Sequence, residues 1–212
     1  MTPVDAVLPE LRAVLEARAE AVLVAPPGAG KTTRVPPALL DASWAGAGKI
    51  ILLSPRRIAA RAAAARMAAE RGERVGEIIG YRVRLDSKIG PRTRIEVVTE
   101  GVFTRMILDD PELRGVAAVL FDEFHERSIH ADLGLALARR AQALFRKDLR
   151  ILIMSATLDE AALSRALGGA PVVSSAGRSF PVEISYAADD LNPDRDPVPA
   201  VAAAIRRALR TT

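Results

Sequence analysis

The sequence contains no cysteine and two histidines, and these scarcities exclude several kinds of site. Disulfide bonds, cysteine nucleophiles and thiolate zinc sites need cysteine, and a histidine-rich metal centre needs more than His125 and His130. The chain has no run of about eighteen apolar residues, so no membrane span is expected. The first residues carry several acidic groups and no long apolar run, which argues against a secretory signal. We therefore expect a soluble, cytoplasmic protein.

Lysine and aromatic residues are also scarce. Four of the 30 basic residues are lysines, and aromatic residues make up 4% of the chain. Arginine is abundant beside alanine, which indicates a compositional habit of the genome, so the net charge of +4 is weak evidence for a polyanionic partner. The distribution of charge says more, because residues 49–105 hold 13 basic and six acidic residues, a net charge of +7.

Short apolar segments alternate with longer helical patterns along the chain. Six segments lack polar alternation and are predicted to be strands buried on both faces: 21–25, 49–54, 95–99, 116–121, 151–155 and 171–175. The predicted helices are 5–19, 31–41, 56–71, 100–109, 129–146 and 159–167. Strands separated by helices form parallel sheets with both faces covered. The sequence therefore predicts an α/β fold, a mostly parallel sheet with helices on both faces.

The composition changes after residue 186. Residues 187–199 contain three prolines and four acidic residues without apolar periodicity, which predicts a linker. A helical pattern opens residues 200–212, and little sequence remains for it to pack against. We expect residues 1–186 to form one domain and residues 200–212 to begin a second domain that the chain otherwise lacks.

The strongest local pattern is APPGAGKTT, residues 25–33, which follows the first predicted strand and opens a helix. Its glycines allow backbone N–H groups to surround phosphate oxygens, and the helix start adds partial positive charge. In the pattern G-x-x-x-x-G-K-[ST], Lys31 would reach the outer phosphates and Thr32 would hold Mg²⁺. Ala25 stands where that pattern has glycine. A glycine-rich turn without a ligand is the alternative.

An acidic pair, Asp122 and Glu123, follows the predicted strand 116–121. The pair is expected at the carboxyl edge of the sheet, where open α/β sheets bind ligands. Asp122 would steady Mg²⁺ opposite Thr32, and Glu123 could accept a proton from an attacking water. A solvated helix cap is the alternative for the pair, as it is for the SAT segment at 155–157.

Five segments occur in an order and spacing that resemble the first motor domain, a RecA-like P-loop domain, of superfamily 2 helicases. The segments are APPGAGKTT (25–33), SPRRIAARAAAARMA (54–68), VTEGVFTRMI (98–107), DEFHER (122–127) and MSATLD (154–159). They are similar to the DEAH-box branch. Phe124 stands where that branch usually has alanine, and the segment DEFHER is similar to the bacterial HrpB-type ATP-dependent helicases. The resemblance covers residues 5–212.

The resemblance implies a site for ATP and Mg²⁺. Thr32 and Asp122 would hold Mg²⁺, partly through water, and Glu123 would activate the attacking water near Lys31. Arg66 would stack on the nucleotide base, with a solvated helix arginine as the alternative. The nucleotide-binding residues that the resemblance implies are Pro27, Gly28, Ala29, Gly30, Lys31, Thr32, Thr33, Arg66, Asp122 and His125.

The resemblance also implies a track for single-stranded nucleic acid. The residues that match strand-holding segments are Arg56, Arg57, Thr99 and Gly101. All four lie in the basic region 49–105, so phosphate neutralisation would supply most of the affinity. The residues that would couple this track to the nucleotide, through His125, are Ser155, Ala156 and Thr157.

The family closes a second motor domain over the nucleotide and takes an arginine finger from it. No QRxGRxGR-like segment occurs in residues 159–212. An arginine finger is worth about 10³ to 10⁵ in rate, so this chain alone is expected to turn over slowly. The full-length protein is expected to be an ATP-dependent RNA helicase. The alternatives are a DNA-directed or RNP-remodelling ATPase of the same superfamily, since no residue here distinguishes ribose from deoxyribose, and a non-catalytic nucleic-acid-binding P-loop module.

Overall fold

The structure is a computed structural model that describes residues 2–156, 161, 164–165, 167–176, 184, 186 and 196–210. These residues fall into two compact units, one within 1–178 and the other within 179–212. Thr157, most of the predicted helix 159–167 and most of the predicted linker 187–199 lie outside the described residues. The division into a domain at 1–186, a linker and a second domain remains a prediction.

The larger unit is built on one eight-stranded sheet with the order β4-β3-β5-β2-β6-β7-β1-β8. Neighbouring strands run parallel, except that β3 and β4 are antiparallel. The strands are β1 (Glu20–Val24), β2 (Lys49–Ser54), β3 (Ile79–Val83), β4 (Asp86–Lys88), β5 (Ile95–Thr99), β6 (Val116–Phe121), β7 (Arg150–Ser155) and β8 (Val172–Ser174). Helices described in this unit include α1 (Leu8–Ala17), α2 (Lys31–Leu40), α3 (Arg57–Glu70), α4 (Glu100–Asp109) and α5 (Ile129–Leu144), with 3-10 turns at Pro3–Ala6, Ser43–Ala45 and Phe124–Glu126.

Helices cover both faces of the sheet. Helices α1, α2 and α3 contribute apolar side chains to the core on one face, and α4 and α5 contribute to the core on the other. The central strands β2, β6 and β7 are buried along almost their whole length, which explains why their sequences are continuous apolar runs. The predicted α/β architecture is confirmed, and each of the six predicted strands is present within one residue at either end.

The prediction of one continuous helix over residues 5–19 is wrong. Its first part belongs to the 3-10 turn Pro3–Ala6, and α1 begins separately at Leu8. Pro9 has no N–H to donate to the carbonyl of Asp5, so a single helix through both segments would lack a rung at this point. Pro9 fits the first turn of α1, where N–H groups have no intrahelical acceptor.

The hairpin of β3 and β4 was missed by the sequence analysis. Its strands are short and mix apolar with charged residues, so they give no continuous apolar run. The two-residue turn places Leu85 in the left-handed region at φ 64° with 93% of its surface exposed. On the strand itself, a Cβ at Gly80 would lie 2.4 Å from the carbonyl oxygen of Lys88. Glycine at 80 therefore permits the close approach of the two strands.

The smaller unit contains helix α6 (Val198–Ala208), which begins two residues before the predicted segment 200–212. Among the described helices, none has the length and apolar character needed to cross a membrane.

We predict that Gly80→Ala destabilises the chain by about 1–3 kcal/mol, because the methyl group must push the Lys88 backbone away. Gly101→Ala is the matched control, since a Cβ there meets nothing within 4 Å and alanine favours helix. Chemical denaturation of both variants measures the difference. Equal stability of the two variants would contradict the tight approach at Gly80.

Candidate functional site

The segments that carry the sequence patterns meet at the carboxyl edge of the sheet. Strands β6, β7 and β1 are neighbours in the sheet. The acidic pair follows β6, the SAT segment lies at the end of β7, and the segment APPGAGKTT (residues 25–33), called the P-loop from here on, follows β1. Strands β2 and β5 continue the sheet on the far side of β6, and their ends lead to Arg56 and Gly101. The topology therefore produces one continuous edge on which ligands of α/β sheets bind.

The P-loop adopts a backbone that requires glycine at two positions. Gly28 and Gly30 have φ values of 75° and 93°, in the left-handed region. Lys31 follows at the start of α2 with 4% of its surface exposed, and its Nζ donates to the carbonyls of Ala25 at 2.6 Å and Pro26 at 3.1 Å. Burial lowers the pKa of Lys31, while Glu123 and Asp122 act in the opposite direction. The ammonium group is thus held by the carbonyls of the loop, and both carboxylates act on it electrostatically.

Asp122 links the P-loop helix to β6. The Thr32 hydroxyl donates to Asp122 Oδ2 at 2.5 Å. Asp122 has 6% of its surface exposed, and burial raises its pKa to about 6. The hydrogen bond from Thr32 opposes that shift, whereas the charge of Glu123 adds to it. Within the described part of the chain, the second oxygen, Oδ1, is buried without a hydrogen-bond partner.

The Thr32 hydroxyl and the Asp122 carboxylate are oxygen ligands of the kind that Mg²⁺ takes. Magnesium takes oxygen ligands in octahedral geometry and is commonly held by one or two carboxylates together with water and substrate phosphates. The described residues contain no group of three or more His, Asp or Glu side chains that could hold a metal by themselves. A metal at Thr32 and Asp122 would therefore share its coordination with phosphate oxygens, and the unpartnered Oδ1 is a suitable ligand.

Glu123 stands in a strained backbone position. Its φ of 49° and ψ of 37° are left-handed, which is uncommon for a residue with a side chain and costs of order 1 kcal/mol or more. Such strain is concentrated at functional sites. The Glu123 carboxylate contacts His125, with 3.3 Å between Oε2 and Nε2.

His125 connects the acidic pair to the SAT segment. The backbone N–H of Ala156 donates to His125 Nδ1 at 3.2 Å. In the neutral ring this bond places the proton on Nε2, which faces Glu123. The carbonyl of Ser155 also accepts from the Ala25 N–H at 3.1 Å, so the SAT segment contacts both the P-loop and the acidic pair.

Arg56 lies near the acidic pair. Its Nη2 is 2.9 Å from Oε1 of Glu126. Together with Thr32, Asp122 and Glu123 it lines a cavity of about 220 Å³. The neighbouring Arg57 is exposed at the first turn of α3.

Thr99 and Gly101 line a second and larger cavity of about 810 Å³. It lies between α4 and the hairpin of β3 and β4, and Arg82, Arg84 and Arg105 contribute to its lining. Arg82 and Arg84 lie on the hairpin that was not predicted, whereas Arg105 lies on the predicted helix α4 and was not named as a site residue. An alternating pattern in YRVRLDSK, residues 81–88, is the signal that could have indicated the hairpin.

Arg66 is exposed on α3, and its Nε donates to Glu70 Oε1 at 2.5 Å. Glu70 Oε2 lies 3.6 Å from Nη1 of Arg34, a residue of the P-loop helix. The structure therefore connects Arg66 to α2 through an intervening carboxylate.

Fold and site together define a RecA-like P-loop domain. The chain belongs to the DEAD/DEAH box helicase family, whose model matches residues 7–165. It is a helicase motor domain.

Known helicases resemble the chain over most of its length. It is 56% identical to the ATP-dependent RNA helicase HrpB of Escherichia coli (strain K12) over 184 residues, 87% of this chain and 23% of that protein. It is 36% identical to the ATP-dependent RNA helicase DHX33 of Homo sapiens over 181 residues, 84% of this chain and 26% of that protein. The crystal structure of the Escherichia coli DEAH/RHA helicase HrpB superposes with a TM-score of 0.90 at 52% identity, covering 100% of this chain and 27% of that one. The chain thus spans about a quarter of the length of these relatives.

We predict that Asp122→Asn stabilises the nucleotide-free chain above pH 6 by on the order of 1–3 kcal/mol, because it removes a buried charge whose pKa burial raises to about 6. The gain should shrink as the pH falls from 6 towards 4, where Asp122 of the wild type is protonated in the folded state. Denaturation of wild type and variant across this pH range measures the effect.

Asp110→Asn is a control of opposite sign. Hydrogen bonds from Arg114 hold the pKa of Asp110 below its ordinary value, so this variant should lose stability at neutral pH and approach the wild type as the pH falls. A pH-independent effect of Asp122→Asn would show that Asp122 does not carry a buried charge.

Proposed function

We propose that this chain is the ATP-binding and ATP-hydrolysing motor domain of an ATP-dependent RNA helicase. The observation that supports this most is the convergence of Lys31 and Thr32 with Asp122 and Glu123 at one sheet edge, joined by the 2.5 Å hydrogen bond from Thr32 to Asp122. A P-loop lysine, a hydroxyl and two carboxylates are the groups that phosphoryl transfer from a nucleotide needs.

The P-loop would hold the phosphates of ATP. Its backbone N–H groups and the start of α2 favour negative charge, and the Lys31 ammonium, which donates to the loop carbonyls of Ala25 and Pro26, would contact the outer phosphates. Thr32 and Asp122 would hold Mg²⁺, partly through water, and the ion neutralises charge on the phosphate oxygens when bound. Arg66 would stack on the base after leaving Glu70, and His125 would lie on the phosphate side. Pro27, Ala29 and Thr33 would complete the contacts.

Glu123 would position the attacking water and accept its proton. Its carboxylate lies at the same edge as Lys31 and Asp122, and both the strained backbone and His125 hold it in place. A positioned carboxylate of this kind contributes roughly 10² to 10⁴ in rate. The non-catalytic alternative gives no use for a strained glutamate at this point.

His125 would couple this chemistry to the nucleic-acid track. A change in charge at Glu123 acts directly on the imidazole, and the imidazole accepts from the backbone of Ala156. Ser155, Ala156 and Thr157 would transmit that change, although Thr157 lies outside the described residues.

The larger cavity would hold the backbone of single-stranded RNA. Thr99 and Gly101 line it, and the guanidinium groups of Arg84 and Arg105, which also line it, would provide positive charge for phosphates. Arg56 and Arg57 would extend this surface towards the acidic pair. The relatives are named as RNA helicases, which favours RNA over DNA as the strand.

A second motor domain of the same protein would complete the site. The chain spans about a quarter of its relatives' length, and the sequence after residue 159 offers no arginine-finger segment. Without that arginine, hydrolysis by this chain would remain slow, since the group is worth about 10³ to 10⁵ in rate. Unwinding would belong to the full-length protein in the cytoplasm.

We predict that Lys31→Ala weakens MgATP binding by roughly tenfold or more, because a charge-assisted contact to phosphate is lost.

Glu123→Gln should bind MgATP like the wild type and, in the full-length protein, hydrolyse it about 10² to 10⁴ times more slowly. Calorimetric titration and phosphate release measure the two effects. Unchanged binding by Lys31→Ala would remove the P-loop assignment, and equal loss of binding in both variants would make Glu123 a structural residue.

We predict that neutralising Arg84 and Arg105 to Gln weakens RNA binding and flattens its salt dependence by about 1.4 in the log–log slope, or about 0.7 for each phosphate contact on a single strand. Arg71→Gln with Arg74→Gln is the matched control, since it makes the same change in net charge at the far end of α3. Fluorescence titration of labelled single-stranded RNA over a range of salt concentrations measures the slope. An equal slope in both double variants would place the strand elsewhere, and stronger binding of DNA than RNA would favour the DNA-directed alternative.

A further inference from the structure

Residues 2–6 lie against the P-loop and contact it at several points. Val4 is fully buried, and its backbone N–H donates to the carbonyl of Ala29 at 3.1 Å. The carbonyl of Pro3 accepts from the Ser175 hydroxyl at 3.0 Å. The segment is thus held between the P-loop and the residue that follows β8.

Thr2 contacts the second P-loop glycine. A Cβ placed on Gly30 would lie 2.8 Å from the Thr2 hydroxyl oxygen and 3.1 Å from Thr2 Cβ. Gly30 has a φ of 93°, so this neighbour closes the space beside a backbone conformation that few residues adopt. Residues 2–6 therefore form one wall of the loop that is proposed to hold phosphates.

Asp5 ties this wall to the P-loop helix. Its Oδ2 accepts from the Thr2 N–H at 2.7 Å, and its Oδ1 accepts from Arg34 Nε at 2.8 Å. The carboxylate side chain is 10% exposed, and the hydrogen bond from Arg34 is the main cause that lowers its pKa. Arg34 follows Lys31 by three residues, so it lies on the neighbouring turn of the same helix face.

The ion pairs continue from Arg34 to the proposed base-stacking arginine. Arg34 Nη1 lies 3.6 Å from Glu70, and Glu70 accepts from Arg66. The pairs at this end are substantially exposed, with 43% of the Arg34 and 70% of the Arg66 side chain accessible, so solvent screens them. Asp5 is the most buried member of the chain of charges, and its contribution should be the largest.

We infer that Asp5 is a positioning residue for the phosphate-binding loop: by bridging the Thr2 backbone and the Arg34 guanidinium, it fixes the wall of residues 2–6 against Gly30 and the start of α2. It does not touch the nucleotide. Its effect on affinity passes through the geometry of the loop, and the inference rests on the proposed nucleotide-binding function.

The test is nucleotide affinity in Asp5→Asn. The amide can still accept from the Thr2 N–H but loses the charged bond to Arg34, and we expect roughly a five- to tenfold weaker affinity for MgADP. Arg34→Met should give a similar loss, and the double variant should lose little more than Arg34→Met alone, because each change removes the bond between Asp5 and Arg34; Arg34→Met also removes the exposed contact with Glu70. Magnesium pyrophosphate, measured by competition with a fluorescent ADP, should weaken by the same factor, since the loop grips phosphates.

Asp110→Asn is the matched control. Asp110 also accepts from a backbone N–H and an arginine, both of Arg114, but it follows α4 and lies outside the proposed site. This variant should bind MgADP like the wild type, whatever its change in stability, which denaturation measures in parallel.

The outcomes separate the two proposals. If the wild type binds MgADP and Lys31→Ala does not, nucleotide binding stands, and wild-type affinity in both Asp5→Asn and Arg34→Met would overturn the role of Asp5. A loss confined to ADP and absent for pyrophosphate would also overturn it, because the effect would then pass through Glu70 to the base. Failure of the wild type to bind MgADP would instead sink the proposed function. Should Asp5→Asn fail to fold, Arg34→Met carries the same test.

Discussion

The hydrogen bond from the Thr32 hydroxyl to the buried carboxylate of Asp122 joins two parts of the chain that are far apart in sequence. Thr32 is placed by the start of α2 and Asp122 by the end of β6, so the bond fixes the P-loop helix relative to the centre of the sheet. Burial of Asp122 removes hydration from its carboxylate, which raises its pKa to about 6. The contact therefore costs folding free energy when Asp122 is charged. A buried charge with one oxygen unpartnered among the described residues is poor for stability and suited to a cation.

The fold could be predicted where burial determines the sequence. Strands β2, β5 and β6 are covered on both faces, and their ranges were predicted to the residue because their interior positions are almost all apolar; Glu96 of β5 is buried as well, but it is paired with Lys49 and Arg82. The hairpin of β3 and β4 lies at the edge of the sheet, where the sequence can alternate and carry charge. A search for continuous apolar runs therefore did not predict these two strands, nor did it indicate Arg84, which lies in their turn and lines the larger cavity.

The parts of the candidate site that consist of consecutive residues could be predicted from the sequence. The P-loop and the acidic pair were placed from residue type and from their position after a strand, and the structure brings them together at one edge. Contacts between distant segments left no local pattern. The bond of Asp5 to Arg34 joins residues that are 29 positions apart, and that of Ala156 to His125 joins residues 31 positions apart. Neither follows from propensity or spacing, because the topology alone decides which loops meet.

His125 contacts both the carboxylate of Glu123 and the backbone N–H of Ala156. Because the Ala156 N–H occupies Nδ1, the neutral imidazole carries its proton on Nε2, towards the carboxylate. Protonation of Glu123 by an attacking water would change that pairing from an ion–dipole contact to a contact between neutral groups. The same imidazole accepts from the Ala156 N–H, and the carbonyl of the neighbouring Ser155 accepts from the Ala25 N–H of the P-loop. In the proposed mechanism, a proton transfer to Glu123 would reach the rest of the domain through these hydrogen bonds.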